Sequence, residues 1–140
     1  MHTKEFIKIF SDAEIIGNKI VLKNDIAEAI DYIKQNYHYN MLKEITAVDL
    51  GGEGIELNYN LFSVENEEDL IVSAVVKNEA ESISHIFDSA IADENEIYDM
   101  FGVNFIGHED LKRLYMPESW KGNPLRKDYV EDDERLRWND

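Results

Sequence analysis

The chain has 140 residues, a formal net charge of −16, 44% hydrophobic and 31% charged residues, and no cysteine. That length supports one domain with a real core, and the missing thiols exclude disulfides, thiolate nucleophiles, zinc ribbons and cysteine-held iron–sulfur clusters. The acidic balance argues against nucleic acid and anionic lipid, both of which require a basic footprint.

In chain order, MHTKEFIKIF mixes charge into its first turns, lacks the apolar core of a leader peptide, and carries a weak helix pattern over Thr3–Phe10. EIIGNKIVLK (Glu14–Lys23) reads as a hairpin, two β-branched runs around Gly17-Asn18. Asn24 or Asp25 then stands where a helix cap belongs. Ile26, Ala29, Ile30, Ile33 and Tyr37 recur at helical spacing and predict an amphipathic helix over Asp25–Asn36. Three strands follow: Leu42–Leu50, Ile55–Val64 and Leu70–Lys77. The middle one alternates most cleanly, with Ile55, Leu57, Tyr59 and Leu61 on one face and Glu56, Asn58 and Asn60 on the other. These strands predict an antiparallel meander with helices on one face. Ser82–Ala92 and Glu94–Phe101 read as helices, the second stopped by Gly102. The fold class is therefore α+β, a two-layer domain over residues 1–107 followed by an extended C-terminal arm over 108–140.

LIVSAVV (Leu70–Val76) is the longest apolar run and falls far short of the roughly 20 residues a membrane helix needs. A cytoplasmic chain is expected, one that reaches a membrane only through another subunit. GGEG (Gly51–Gly54) lacks the third glycine of a dinucleotide fingerprint and joins two strands, so it reads as a turn. Glu94, Glu96 and Asp99, with His108 and Asp110 downstream, carry group types that suit an acid/base site or magnesium, manganese or zinc. Against that, Glu96 and Asp99 are expected to open a helix, where the dipole favours acids, and solvated or salt-bridged carboxylates are common in a chain with 30 of them. His2, His38 and His85 stand apart without ligand spacing.

After Phe105 the periodicity fails, yet the stretch holds Leu111, Leu114, Tyr115, Met116, Trp120, Leu125, Tyr129, Leu136 and Trp138. Those groups must be covered, by their own sheet or by another protein. The charge also shifts here: residues 1–108 carry 7 Lys and Arg against 21 Asp and Glu, whereas 109–140 carry 7 against 9. In WKGNPLRKDY (Trp120–Tyr129) proline fixes one φ and glycine allows a turn, which makes a low-entropy peptide whose Trp and Arg are typical interface anchors. Arg126 can also pair bidentately with a carboxylate. ENEIYDMFGVNF (Glu94–Phe105) crowds apolar groups around Gly102 and is placed to launch that arm.

ENEIYDMFGVNFIGHEDLKRLYMP followed by WKGNPLRKDY resembles the signature of the 30-kDa subunit, or C subunit, of NADH:quinone oxidoreductase, respiratory complex I. The weaker likeness extends back through TAVDL, YNLFSV and SISHIF, to cover roughly residues 42–130. Four positions depart from the family pattern: Ala92 stands for tryptophan, Asn95 for arginine, Glu109 for proline and Asn123 for histidine. Related subunits occur in energy-converting membrane-bound [NiFe] hydrogenases and formate hydrogenlyases. The resemblance implies a non-catalytic subunit with no cofactor of its own. NADH, FMN, iron–sulfur clusters, and quinone or a NiFe centre are then expected in partner subunits. Those partners are a large quinone-site or hydrogenase-like subunit and a small iron–sulfur subunit, at the cytoplasmic side of the membrane. On this reading Tyr98, Asp99, Phe101 and Gly102 position the arm. His108, Arg113, Pro117, Trp120, Gly122, Pro124, Leu125, Arg126, Lys127, Asp128 and Tyr129 bind the partner. A free-standing metal-dependent enzyme and a generic acidic adaptor are the alternatives.

Overall fold

The computed structural model describes residues 3–113, 116 and 120–127. A short helix α1 (Thr3–Ile9) precedes the hairpin β1 (Glu14–Ile16) and β2 (Lys19–Leu22). Helix α2 (Ile26–Tyr37) leads into the meander β3 (Met41–Asp49), β4 (Ile55–Ser63) and β5 (Glu68–Val76), with a 3-10 turn at Gly51–Glu53. Then come β6 (Glu79–Glu81), α3 (Ala90–Phe101) and β7 (Asn104–Ile106). The five-stranded sheet has the order β1-β2-β5-β4-β3, and β6 pairs with β7 in a second, two-stranded sheet.

The predicted hairpin, helix and meander are all present, and the α+β class holds. The alternation of Ile55–Ser63 becomes a strand whose odd residues are buried and whose even residues are half-exposed. Ile55, Leu57, Tyr59 and Leu61 meet Ile20, Ile30, Ile33, Val72 and Phe6 in one core, all at 0% exposure. Each such side chain contributes about 1.5–3 kcal/mol by leaving water. Inside that core the Tyr59 hydroxyl has no hydrogen-bond partner among the described residues.

Several elements differ from the sequence reading. β2 pairs parallel to β5, because α2 and the first two meander strands return the chain to the same end of the sheet, the crossover that parallel pairing requires. Asp25 sits at the cap of α2 with φ 55° and makes no side-chain bond to it; the Ala27 N–H turns instead to the Glu81 carboxylate. The short strands β6 and β7 have no visible period in the sequence. Ser82–Ala92 is not a helix: residues 82–89 run in turns, and α3 starts at Ala90. The buried Glu94 carboxylate accepts the Ser82 hydroxyl at 2.6 Å and the Ile83 N–H at 2.8 Å, partners that one continuous helix from Ser82 would hold roughly 16–18 Å away. One helix therefore runs from Ala90 to Phe101, and Asp99 lies in its last turn rather than its first.

Helix α3 lies along the outer edge of the sheet. Its Asp93 carboxylate accepts the Ile45 N–H at 3.0 Å, and the Ser89 hydroxyl donates to the Leu42 carbonyl at 3.2 Å. Both bonds occupy backbone groups that an open edge strand would offer to another chain. Burial raises the Asp93 pKa, opposed by the Ile45 bond.

Candidate partner-docking site

The described part of the C-terminal segment climbs one face of α3. Ile91, Asn95 and Asp99 are four residues apart, so they stack on that face. His108 Nε2 lies 3.1 Å from the Ile91 carbonyl, and its Nδ1 accepts the Asp110 N–H at 3.0 Å. The Lys112 N–H donates to Asn95 Oδ1 at 2.9 Å. Arg113 Nε then donates to Asp99 Oδ1 at 2.5 Å, and the Met116 N–H to Asp99 Oδ2 at 3.0 Å.

Arg113 is the hub. Besides the Asp99 carboxylate, its Nη1 donates to the Trp120 carbonyl at 2.7 Å, and its Nη2 to the carbonyls of Asp99 at 3.0 Å and Gly122 at 2.9 Å. The guanidinium fork thus ties the outgoing and returning parts of the segment to the helix.

The last four residues of a helix leave carbonyls without intrahelical donors. Here the segment supplies them. Asn123 Nδ2 donates to the carbonyls of Tyr98 and Asp99 at 3.2 and 3.0 Å. The Leu125 N–H bonds the Met100 carbonyl at 2.8 Å, and Arg126 Nη1 the Phe101 carbonyl at 2.9 Å. Two guanidinium groups also complement the negative end of the helix dipole. Gly102 closes α3 at φ 77°, its N–H on the Tyr98 carbonyl. A Cβ there would lie 2.5 Å from Asn123 Oδ1, so glycine is needed both for its backbone and for Asn123.

A second attachment lies at the end of β3. Asp49 Oδ2 accepts the Lys127 N–H at 2.6 Å, and Oδ1 the Gly51 N–H at 2.7 Å. Those two backbone bonds, the Lys127 bond foremost, hold the Asp49 pKa below the usual carboxylate range.

At the other end of α3, Glu94 Oε1 lies 3.9 Å from Nε2 of the buried His108 ring. Burial raises the Glu94 pKa, against its bonds to Ser82 and Ile83 and the nearby His108 and His85.

The site residues read from the sequence thus fall into three groups. Tyr98, Asp99, Phe101, Gly102, His108, Arg113, Gly122 and Arg126 meet in the clasp or at its root. Trp120 and Pro124 are half-buried beside it, while Leu125 and Lys127 are exposed. Pro117, Asp128 and Tyr129 lie outside the described residues. Asn95, Asn123 and Asp49 were not among the predicted site residues. Asn95 and Asn123 were visible only as departures from a family pattern, and Asp49 only as part of TAVDL in the weaker likeness.

The metal reading finds no support in this geometry. Glu94 serves the 82–84 turn, Asp99 serves Arg113, and Glu96 is exposed. Among the described residues no three His, Asp or Glu side chains converge as a metal site. Nor is any helix among them long and apolar enough to cross a membrane.

An α+β body whose last helix is capped by its own C-terminal segment defines a structural class, a platform carrying an attached peptide. The chain belongs to the family described as the 30 Kd subunit of respiratory-chain NADH dehydrogenase, whose model matches residues 20–135. It is 38% identical over 109 residues to the C/D subunit of the NADH-quinone oxidoreductase of Phocaeicola vulgatus, covering 75% of this chain and 21% of that protein. It is 37% identical over 115 residues to the C subunit of the NADH-quinone oxidoreductase of Geobacter metallireducens, covering 78% of this chain and 71% of that one. The chain therefore spans about a fifth of the first relative and about seven-tenths of the second. A chain in the structure of the membrane-bound sulfane sulfur reductase, an archaeal respiratory membrane complex, matches with TM-score 0.77 and 26% identity, over 91% of this chain and 83% of that one.

Proposed function

We propose that this chain is an assembly subunit of a complex I-like NADH:quinone oxidoreductase, and that its C-terminal segment docks on the large subunit. The observation that carries this reading is the extent of the family match. It runs from β2 through α3 into the C-terminal segment, and so includes both the platform and its attached peptide. The C/D designation of one relative, on a chain about five times as long as the matched part, supports a neighbour of the D type. The structural likeness to a chain of a respiratory membrane complex supports the same kind of assembly.

The chain carries no electrons in this proposal: it has no cysteine, and the redox centres belong to its partners. It stays peripheral, on the cytoplasmic side, and joins the membrane through those partners. The bonds from Arg113, Asn123 and Arg126 to α3 give the segment a fixed root, so less chain freedom is lost when it binds.

The test is native purification through an affinity tag on the full-length chain. Large, iron–sulfur and NADH-oxidising subunits are expected to co-purify in fixed ratio, and deletion of the gene should abolish NADH:quinone activity in the membranes. A chain that purifies alone, with that activity intact in the deletion strain, overturns the proposal. Recovery with a hydrogenase-like large subunit instead would overturn the quinone assignment while keeping the assembly role.

A further inference from the structure

We propose that residues 120–127 reach the partner already folded, as a knob with exposed Leu125 flanked by Lys121 and Lys127, built to fit an apolar socket with an acidic rim. Asp49 is the positioning residue that sets the knob. This rests on the docking role proposed above and specifies which surface makes the contact.

The backbone of the knob is pinned along its length. Arg113 holds the carbonyls of Trp120 and Gly122, the Leu125 N–H is on Met100, and the Lys127 N–H is on Asp49. A turn between the Arg126 N–H and the Asn123 carbonyl, at 3.1 Å, closes the loop. Leu125 is nevertheless 55% exposed. Its main chain is fixed while its side chain faces outward, the arrangement of an anchor that loses little entropy on binding.

The charge is local and opposite to that of the body. In a chain of net charge −16, the exposed charged residues among 120–127 are Lys121 and Lys127, both basic. A groove of about 330 Å³ opens beside Lys127, lined by Asp49, Gly51, Gly52, Arg126 and Lys127. Its charged lining is two cations, Arg126 and Lys127, against the one Asp49 carboxylate, a net positive charge that suits a partner carboxylate. The acidic body disfavours such a partner everywhere else, so the knob would also fix orientation.

Asp49 acts at a distance from Leu125. Its carboxylate joins the turn after β3 to the end of the knob, so without it the Lys127 N–H loses its acceptor while Arg126 keeps the Phe101 and Asn123 carbonyls and the Arg113 clasp survives.

The test uses the remaining subunits purified from cells lacking this chain, reconstituted with full-length variants. Lys121→Glu with Lys127→Glu, both on the surface, should slow association at least about tenfold at low salt, and the difference should shrink at high salt. Leu125→Asp should speed dissociation at least about tenfold. Asp49→Ala should raise amide exchange at Lys127 in the free chain and leave β4 protected; against Asp49→Asn, which loses the same charge but keeps an oxygen for the Lys127 N–H, it should associate more slowly with dissociation nearly unchanged. An association rate unaltered by the charge-reversed pair, or the same in Asp49→Ala as in Asp49→Asn although exchange has risen, overturns the inference. If these variants bind normally while deletion of residues 113–140 abolishes binding, the docking role stands and only the knob is wrong. If that deletion also binds normally, the docking role falls.

Discussion

Around Leu57, Tyr59 and Val72 the contacts are apolar and the side chains lie at 0% exposure. Between Arg113 and Lys127 the described attachments are hydrogen bonds and one ion pair; Trp120 is half-buried and Leu125 stays outside. The first kind of contact is non-directional and scales with area. The second is directional and contributes little net stability while intact, but is costly to half-remove. The body therefore supplies stability and the segment supplies shape, and each should fail in its own way.

The largest effect is expected at the core. Leu57→Ala should cost about 2–5 kcal/mol, and a urea titration should show body and segment unfolding together, since α3 and β3 carry both. A segment that persists after the sheet is lost would contradict the dependence of one on the other. Next is Arg113→Ala, which leaves the buried Asp99 carboxylate without its cation. Breaking such a pair costs about 3–5 kcal/mol when the site stays dry. Here release of the segment admits water and limits the loss. Amide exchange should rise at Met116 and at 120–127 and remain slow in β4; a uniform rise would mean that the segment belongs to the core.

Gly102→Ala is smaller, about 1–2 kcal/mol for the left-handed backbone, with displacement of Asn123 added. Its amide resonance should shift while those of Leu57 and Val72 do not. Tyr59→Phe removes a buried hydroxyl with no described partner and is expected to stabilise the protein by about 1 kcal/mol. Removing a polar atom thus helps in the core and harms in the segment; a destabilised Tyr59→Phe would erase that contrast.

Acidification is the mildest probe. The Asp49 pKa is lowered in the fold, so its contribution is present above the unfolded carboxylate pKa and lost as pH falls through the folded one. The Glu94 pKa is raised, so its ionisation costs stability as pH rises between its unfolded and folded values. On lowering the pH, exchange at Lys127 should increase while the 82–84 turn stays protected. Simultaneous release of both would show that the two ends of α3 are one unit.

Much of the body was legible because its signals are local. Ile26, Ala29, Ile30 and Ile33 repeat with the helix, Ile55 to Leu61 with the strand, and Gly102 supplies the stop. In the site, Asp99, Gly102 and Arg113 could be named from the order of motifs. Their mutual geometry could not, and Asp99 was assigned to the wrong end of its helix. The helix boundary failed because the Ser82 hydroxyl and the Ile83 N–H are held by the distant Glu94, a partner that no local period reveals.

What the sequence determined is periodicity: which faces are apolar, where turns fall, and that an acidic body is followed by a more basic, aromatic segment. The tertiary structure alone decided the pairings. β2 lies parallel to β5, Asn123 caps a helix that ends twenty-two residues earlier, and Asp49 holds a backbone N–H 78 residues away. Burial follows a period that each segment repeats within itself, whereas a carboxylate and its donor carry no mark of each other until the fold brings them within about 3 Å.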